Sequence, residues 1–276
     1  MKKLKKYFFQ LLILGVILVV SAGVLRAQDL TRPNVSGTLF EETGNFRVNY
    51  KVLRAESTEL LSSGKTIFCD GNVYDFVDNS DEIVVFNPKS RQICVLDVKN
   101  RKKLSLTPAD VESYSGKICQ WGRSNPKEEV RQFFQPDFKI NYDDSKKEYS
   151  FVSENFSYFV TPVKPVRPEF LEQYRYFARW SCRTNMMLSP GSKTLYVRSL
   201  VNETVFNSGT LIERLQLSLR TAGPFGKSMV FLSEYQYLPR LVESDMATIR
   251  QVEDYLALFS DGSLEDFQAR RLESGN

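Results

Sequence analysis

The side chains best suited to chemistry are few and scattered along this chain. It contains no histidine, which removes Ser-His-Asp and Cys-His catalysis and the commonest zinc and haem ligand sets. Four cysteines (Cys69, Cys94, Cys119 and Cys182) stand far apart with no Cys-x-x-Cys spacing, so no zinc or iron–sulfur site is expected. In an oxidising compartment an even number permits disulfides in three pairings, and buried free thiols are the other reading. Acidic pairs occur at Glu41-Glu42, Glu128-Glu129 and Asp143-Asp144. A glycosidase needs two carboxylates facing each other across a cleft, whereas adjacent residues in turns or on polar helix faces are expected to be solvated. Gly226-Lys227-Ser228 matches the end of a phosphate loop, but Thr221 stands where that motif needs its first glycine. The segment also leads into an expected strand, where a phosphate loop must open a helix. A plain turn is expected there, and the chain is expected to be no enzyme and to need no cofactor.

The positive signal is aromatic. Phe46, Tyr50, Phe68, Tyr74, Phe76, Phe86, Phe138, Tyr142, Phe151 and Tyr158, with Phe159 beside the last, are spread over apolar stretches along the whole chain. Rings on one side of a sheet either fill a core or line a concavity that holds an apolar ligand. These ten are the candidate ligand-binding residues.

The elements that must position them centre on residues 65–98, KTIFCDGNVYDFVDNSDEIVVFNPKSRQICVLDV. Asp70-Gly71-Asn72, Asp78-Asn79-Ser80-Asp81 and Asn87-Pro88-Lys89-Ser90 separate four short apolar runs, the pattern of an antiparallel meander. Before it, Phe46, Val48, Tyr50 and Val52 alternate with Arg47, Asn49 and Lys51 in an expected strand over 38–57, one face buried and the other wet. Asn100-Arg101-Lys102-Lys103 reads as a basic turn. Thr107-Pro108-Ala109-Asp110 reads as a helix start, because the Thr oxygen accepts an orphan backbone N–H and proline has none to orphan. A short helix is expected over 127–134. A second meander follows, with Phe138, Ile140 and Tyr142, then Tyr149 and Phe151, then Phe156, Tyr158 and Val160. Pro162, Pro165 and Pro168 predict an extended crossing that opens a helix over 169–187. Phe170, Tyr174, Phe177 and Ser181 form its stripe. Helices over 196–206 and 243–259 and strands over 211–220 and 229–238 complete the pattern, and the charged tail after Ser260 is expected to fray. The fold class is α+β: a curved antiparallel sheet with helices covering its concave face.

The first residues read as an export signal. Lys2, Lys3, Lys5 and Lys6 precede an apolar run from Phe8 to Val20 and the small residues Ser21-Ala22-Gly23. Residues 1–27 are therefore a signal peptide cleaved after Ala22 or Ala27, or an uncleaved anchor that keeps the protein near a membrane. Residues 28–276 form a single domain, periplasmic or secreted, or anchored facing the periplasm. Of 37 basic residues five lie in the leader, which has no acidic ones, so the remainder carries 32 basic and 33 acidic residues and a net charge of −1. No nucleic-acid partner is expected from that balance. The Asn-x-Ser/Thr matches at Asn34, Asn155 and Asn202 bear only on a eukaryotic secretory host.

The stretch GKTIFCDGNVYDFVDNSDEIVVFNPKSRQICVLDVKNRKKLSL, with its Phe86-Asn87-Pro88 corner, resembles the LolA-like family of exported lipoprotein-sorting proteins, and the related LolB. FARWSCRTNMMLSP, VRSLVNETVF and MVFLSEYQYLPRLVESDMATIRQVEDYL are similar to the C-terminal half of LolA-like proteins of planctomycete-type bacteria. The resemblance implies an incomplete antiparallel β-barrel whose concave apolar face holds acyl chains under a lid of helices, at about 0.8 kcal/mol per buried CH₂. The implied partner is a lipid or an acylated protein. The resemblance maps none of the cavity residues that such carriers use for triacylated cargo onto this sequence, so it carries over the fold and not the cargo. The alternative is an envelope scaffold or interaction module with a filled core, its partner docking on an edge or on the helices.

Overall fold

A computed structural model describes residues 43–192, 194–220 and 228–274. The leader, the segment up to Glu42 and the glycine and lysine of the phosphate-loop match lie outside the described residues.

The architecture is α+β. Twelve strands form one open, mostly antiparallel sheet, with six helices among the described residues. The first run is β1 (Phe46–Arg54), β2 (Glu59–Cys69), β3 (Asn72–Val77), β4 (Glu82–Asn87), β5 (Gln92–Asp97) and β6 (Lys102–Leu106). Helices α1 (Pro108–Arg123) and α2 (Glu128–Phe134) lead to the hairpins β7 (Lys139–Asp143), β8 (Glu148–Val152) and β9 (Phe156–Val163). Then come α3 (Pro168–Leu188), α4 (Thr194–Asn207), β10 (Leu211–Arg220), β11 (Ser228–Leu238), α5 (Glu243–Leu258), β12 (Ser260–Asp261) and α6 (Leu264–Ser274). The strand order is β12-β6-β5-β4-β3-β2-β1-β11-β10-β9-β8-β7, and only β12 on β6 is parallel.

Local chemistry sets the corners. Asp70 and Gly71, the two residues between β2 and β3, have φ of 50° and 81°, the positive pair of a type I′ turn whose twist matches its strands. Side-chain oxygens of Asn87, Asp97 and Asp143 accept the backbone N–H of Ser90, Asn100 and Ser145 at 2.9, 3.0 and 2.9 Å, closing three further turns. Thr107 and Asp110 form the expected reciprocal cap of α1, at 3.0 and 3.2 Å.

Alternation along the strands divides the apolar residues between two faces. Phe46, Phe68, Val73, Phe86 and Val95 meet α3 through Phe170, Tyr174 and Phe177. Their neighbours Ile67, Tyr74, Val85 and Leu96 point the other way and meet Ile249 and Val252 of α5. The expectation that the helices cover one face is thus corrected. Helix α5 crosses beneath β2–β5 because those strands are apolar on both faces and need a second cover.

Two further readings are corrected. Lys102 and Lys103 belong to β6, where Lys103 Nζ reaches the Leu256 carbonyl at 2.7 Å in the last turn of α5. The tail after Ser260 is anchored. The Ser260 and Gly262 N–H groups bond Arg101 and Lys103 carbonyls at 3.2 and 2.8 Å, and Phe267 of α6 is 2 % exposed. Arg270 and Arg271 pair with Asp97 and Glu82, and Gln268 donates to the Met187 carbonyl at 2.6 Å. The charges that suggested a solvated tail are its attachments.

Candidate functional site

The α3 face holds most of the candidate aromatics. Phe46 lies between Phe68 and Phe170, stacked at 4.1 Å from each centroid. Phe68 and Phe86 present their faces or edges to Phe177 at 5.8 and 5.4 Å. Phe151 and Tyr158 meet Phe138 edge-on at 5.8 and 6.3 Å. Tyr50 crosses Gly64 and donates to the Phe76 carbonyl at 3.3 Å. Tyr74 and Phe76 are on the α5 face instead, where the Tyr74 hydroxyl donates to Glu253 at 2.5 Å. Tyr142, on the outermost strand, is 38 % exposed and packs on Tyr149 at 4.5 Å. The ten residues therefore occupy both faces and one edge.

Polar residues that the sequence reading passed over are buried on the α3 face. Arg198 of α4, 5 % exposed, donates to Asn202 Oδ1 and to the Tyr235 hydroxyl, each at 3.1 Å. Its mid-helix position gave no sign of burial. Asp75 of β3 is buried with Thr66, whose hydroxyl donates to it at 2.7 Å. Burial pushes the Asp75 carboxyl up to about 7, against the lowering effect of the Thr66 bond. Burial likewise holds the Tyr50 and Tyr174 hydroxyls well above the usual tyrosine range, so they remain protonated donors.

The α5 face carries a cavity of about 900 Å³ beyond the reach of α5, over β2, β1, β11, β10 and β9. Its floor is written in the strand register. Thr161 lies opposite Arg214, Arg214 opposite Glu234, Glu234 opposite Lys51, and Lys51 opposite Ser63. Ser63 in turn donates to Asp78 at 2.6 Å, and Lys51 pairs with Glu234 at 2.7 Å. A polar row thus crosses five strands, with charge alternating over its middle three at Arg214, Glu234 and Lys51. The neighbouring row, Gln236, Asn49 and Lys65, is also polar. At the border with α5, Asp245 is fully enclosed and accepts two bonds from Arg47 at 2.9 Å and one from Lys65 at 3.4 Å. Burial works to raise its pKa, but the Val242 N–H and the Arg47 and Lys65 charges outweigh it, and the carboxyl is held low. The wet alternation of Arg47, Asn49 and Lys51 was the sequence signal for this surface.

The remaining candidates are dispersed. All four cysteines are free, and burial pushes Cys69, Cys94 and Cys119 up to about 11 and Cys182 to about 12, which keeps them as thiols. Glu128 and Glu129 open α2, and Asp143 closes the β7–β8 turn through Ser145 and Lys146. Glu41-Glu42 lies outside the described residues, and Ser228 of the phosphate-loop match opens a strand. Among the described residues no helix is long and apolar enough to cross a membrane. Comparison with known proteins finds no matching family model and no matching curated protein.

Proposed function

We propose that the protein is a non-enzymatic binding module of the cell envelope, of the filled-core kind, which works through the polar part of its sheet that no described helix covers. The observation that carries this reading is the division of labour between the two faces. Three of the aromatic rings that would line an acyl cavity, Phe46, Phe68 and Phe86, are in contact with Phe170 or Phe177 of α3. The opposite face of β1 and β2, continuing over β11, β10 and β9, carries the 900 Å³ cavity and its polar row. Such a floor suits a polar segment of mixed charge on a protein partner, since each charge finds its complement and few groups are left unpaired. The leader, Lys2 to Ala27, supports export to the envelope. The LolA-like half-barrel belongs to the same proposal as a relationship of fold.

Native mass spectrometry of protein purified from its own envelope, followed by organic extraction, tests the filled core. An apo mass unchanged by incubation with lipids is expected. A bound acyl species at near-stoichiometric occupancy would overturn the reading and restore lipid carriage, with α3 as the element that must withdraw. A photo-crosslinking residue at Thr161 tests the surface: it is expected to yield one discrete protein adduct in the envelope that the same residue at Glu265 does not. Equal labelling at both positions counts against the cavity.

A further inference from the structure

Among the described residues the sheet ends differently on its two sides. One end is β12, two residues long and too short to template another strand. The other is β7, Lys139-Ile140-Asn141-Tyr142-Asp143, five residues in unbroken register with β8. It contains neither proline nor glycine and no bulge, and its first four residues are exposed. An open edge of this kind presents unpaired backbone donors and acceptors, and proteins that must stay monomeric blunt such edges with prolines, bulges, lysines or inward charges, of which β7 carries the single lysine Lys139 at its start.

The sequence of β7 is complementary to itself. Laid antiparallel on a second copy about a two-fold axis through Asn141, Lys139 stands opposite Asp143, Ile140 opposite Tyr142, and Asn141 opposite its own counterpart. The two ends then form two opposite-charge pairs. Ile140 and Tyr142, 40 % and 38 % exposed, cover one another on the face where Tyr142 already packs on Tyr149. A one-residue slip would set the two faces of the sheet against each other, and a two-residue slip would keep the faces and lose both charge pairs. One register satisfies charge, apolar cover and face together. We propose that β7 pairs with β7 of a second copy in this register, joining two sheets into one across an isologous two-fold interface. The interface is separate from the polar cavity and stands or falls independently of what fills it.

Disulfide trapping reads the register directly. With Asn141→Cys the two Cα atoms would lie about 4.5–5.5 Å apart, within the span of a disulfide. With Lys139→Cys they would lie roughly 13 Å apart, four strand residues out of register. Mild oxidation is expected to give a covalent dimer with N141C and none with K139C or the native protein. Sedimentation of the unlinked proteins gives the second readout. The native protein is expected to dimerise, Lys139→Glu to weaken the dimer about tenfold by placing two like-charge pairs in the interface, and Asn141→Pro to abolish it. A native protein that is monomeric at every concentration would overturn the proposal. So would a dimer indifferent to both K139E and N141P, or equal trapping at positions 139 and 141. K139E, on an exposed side chain, keeps the test valid if N141P does not fold.

Discussion

Replacing Gly64 with alanine should test the packing of the sheet most directly. Gly64 sits in β2 between Tyr50 on β1 and Val77 on β3. A Cβ there would lie 2.1 Å from the Phe76 carbonyl oxygen and 2.5 Å from the Tyr50 hydroxyl. The first contact is with backbone, so no rotamer change relieves it, and the strands must separate or Tyr50 must leave. Overpacking of this kind costs about 1–3 kcal/mol. Losing the hydrogen bond from Tyr50 to Phe76 adds about 1 kcal/mol. Together these give a destabilisation of about 2–4 kcal/mol, read as a lower midpoint in urea at unchanged slope. Gly116→Ala is the internal control: it lies in α1 with nothing within 4 Å of the added carbon. Alanine should stabilise it by about 0.5–1 kcal/mol, because a helix interior favours alanine over glycine. In the Gly64→Ala background, Tyr50→Phe should recover part of the loss, since it removes the nearer side-chain atom while the carbonyl contact stays. A Gly64→Ala protein as stable as the native one, or no coupling to Tyr50→Phe, would refute the reasoning.

Two further outcomes are expected. Asp75, with its carboxyl raised to about 7, stays protonated in the folded protein at pH values where the unfolded chain has already released the proton. Its contribution to stability is therefore present at low pH and is lost as pH rises towards 7, at about 1.4 kcal/mol per unit between roughly 4 and 7. Urea midpoints across that window should show the slope in the native protein and lose that component in Asp75→Asn. Phe267→Ala should cost about 3–5 kcal/mol, as for a buried ring elsewhere in a core; a loss below about 0.5 kcal/mol in the same assay would be the behaviour of a frayed tail.

What local chemistry determines was legible in the chain. Asp70-Gly71 announces its turn because that turn needs two positive φ angles. Thr107 with Asp110 announces the start of α1, and the stripe of Phe170, Tyr174 and Phe177 announces the buried side of α3. Alternation in β1 marked Arg47, Asn49 and Lys51 as the wet side, of which Asn49 and Lys51 became the polar floor and Arg47 its border with α5. Everything decided by a distant partner was not. A period of two places Tyr74 and Val73 on opposite faces but is silent about which helix will cover each, so α5 was expected on the wrong side. Arg270 and Arg271 read as solvated charge because Asp97 and Glu82 stand far away along the chain. Aromatic content could describe a filled interior or an open one equally well. The seating of Phe170 against Phe46 is a contact between strand and helix that no local pattern encodes, because it depends on how the chain returns and not on the residues beside it.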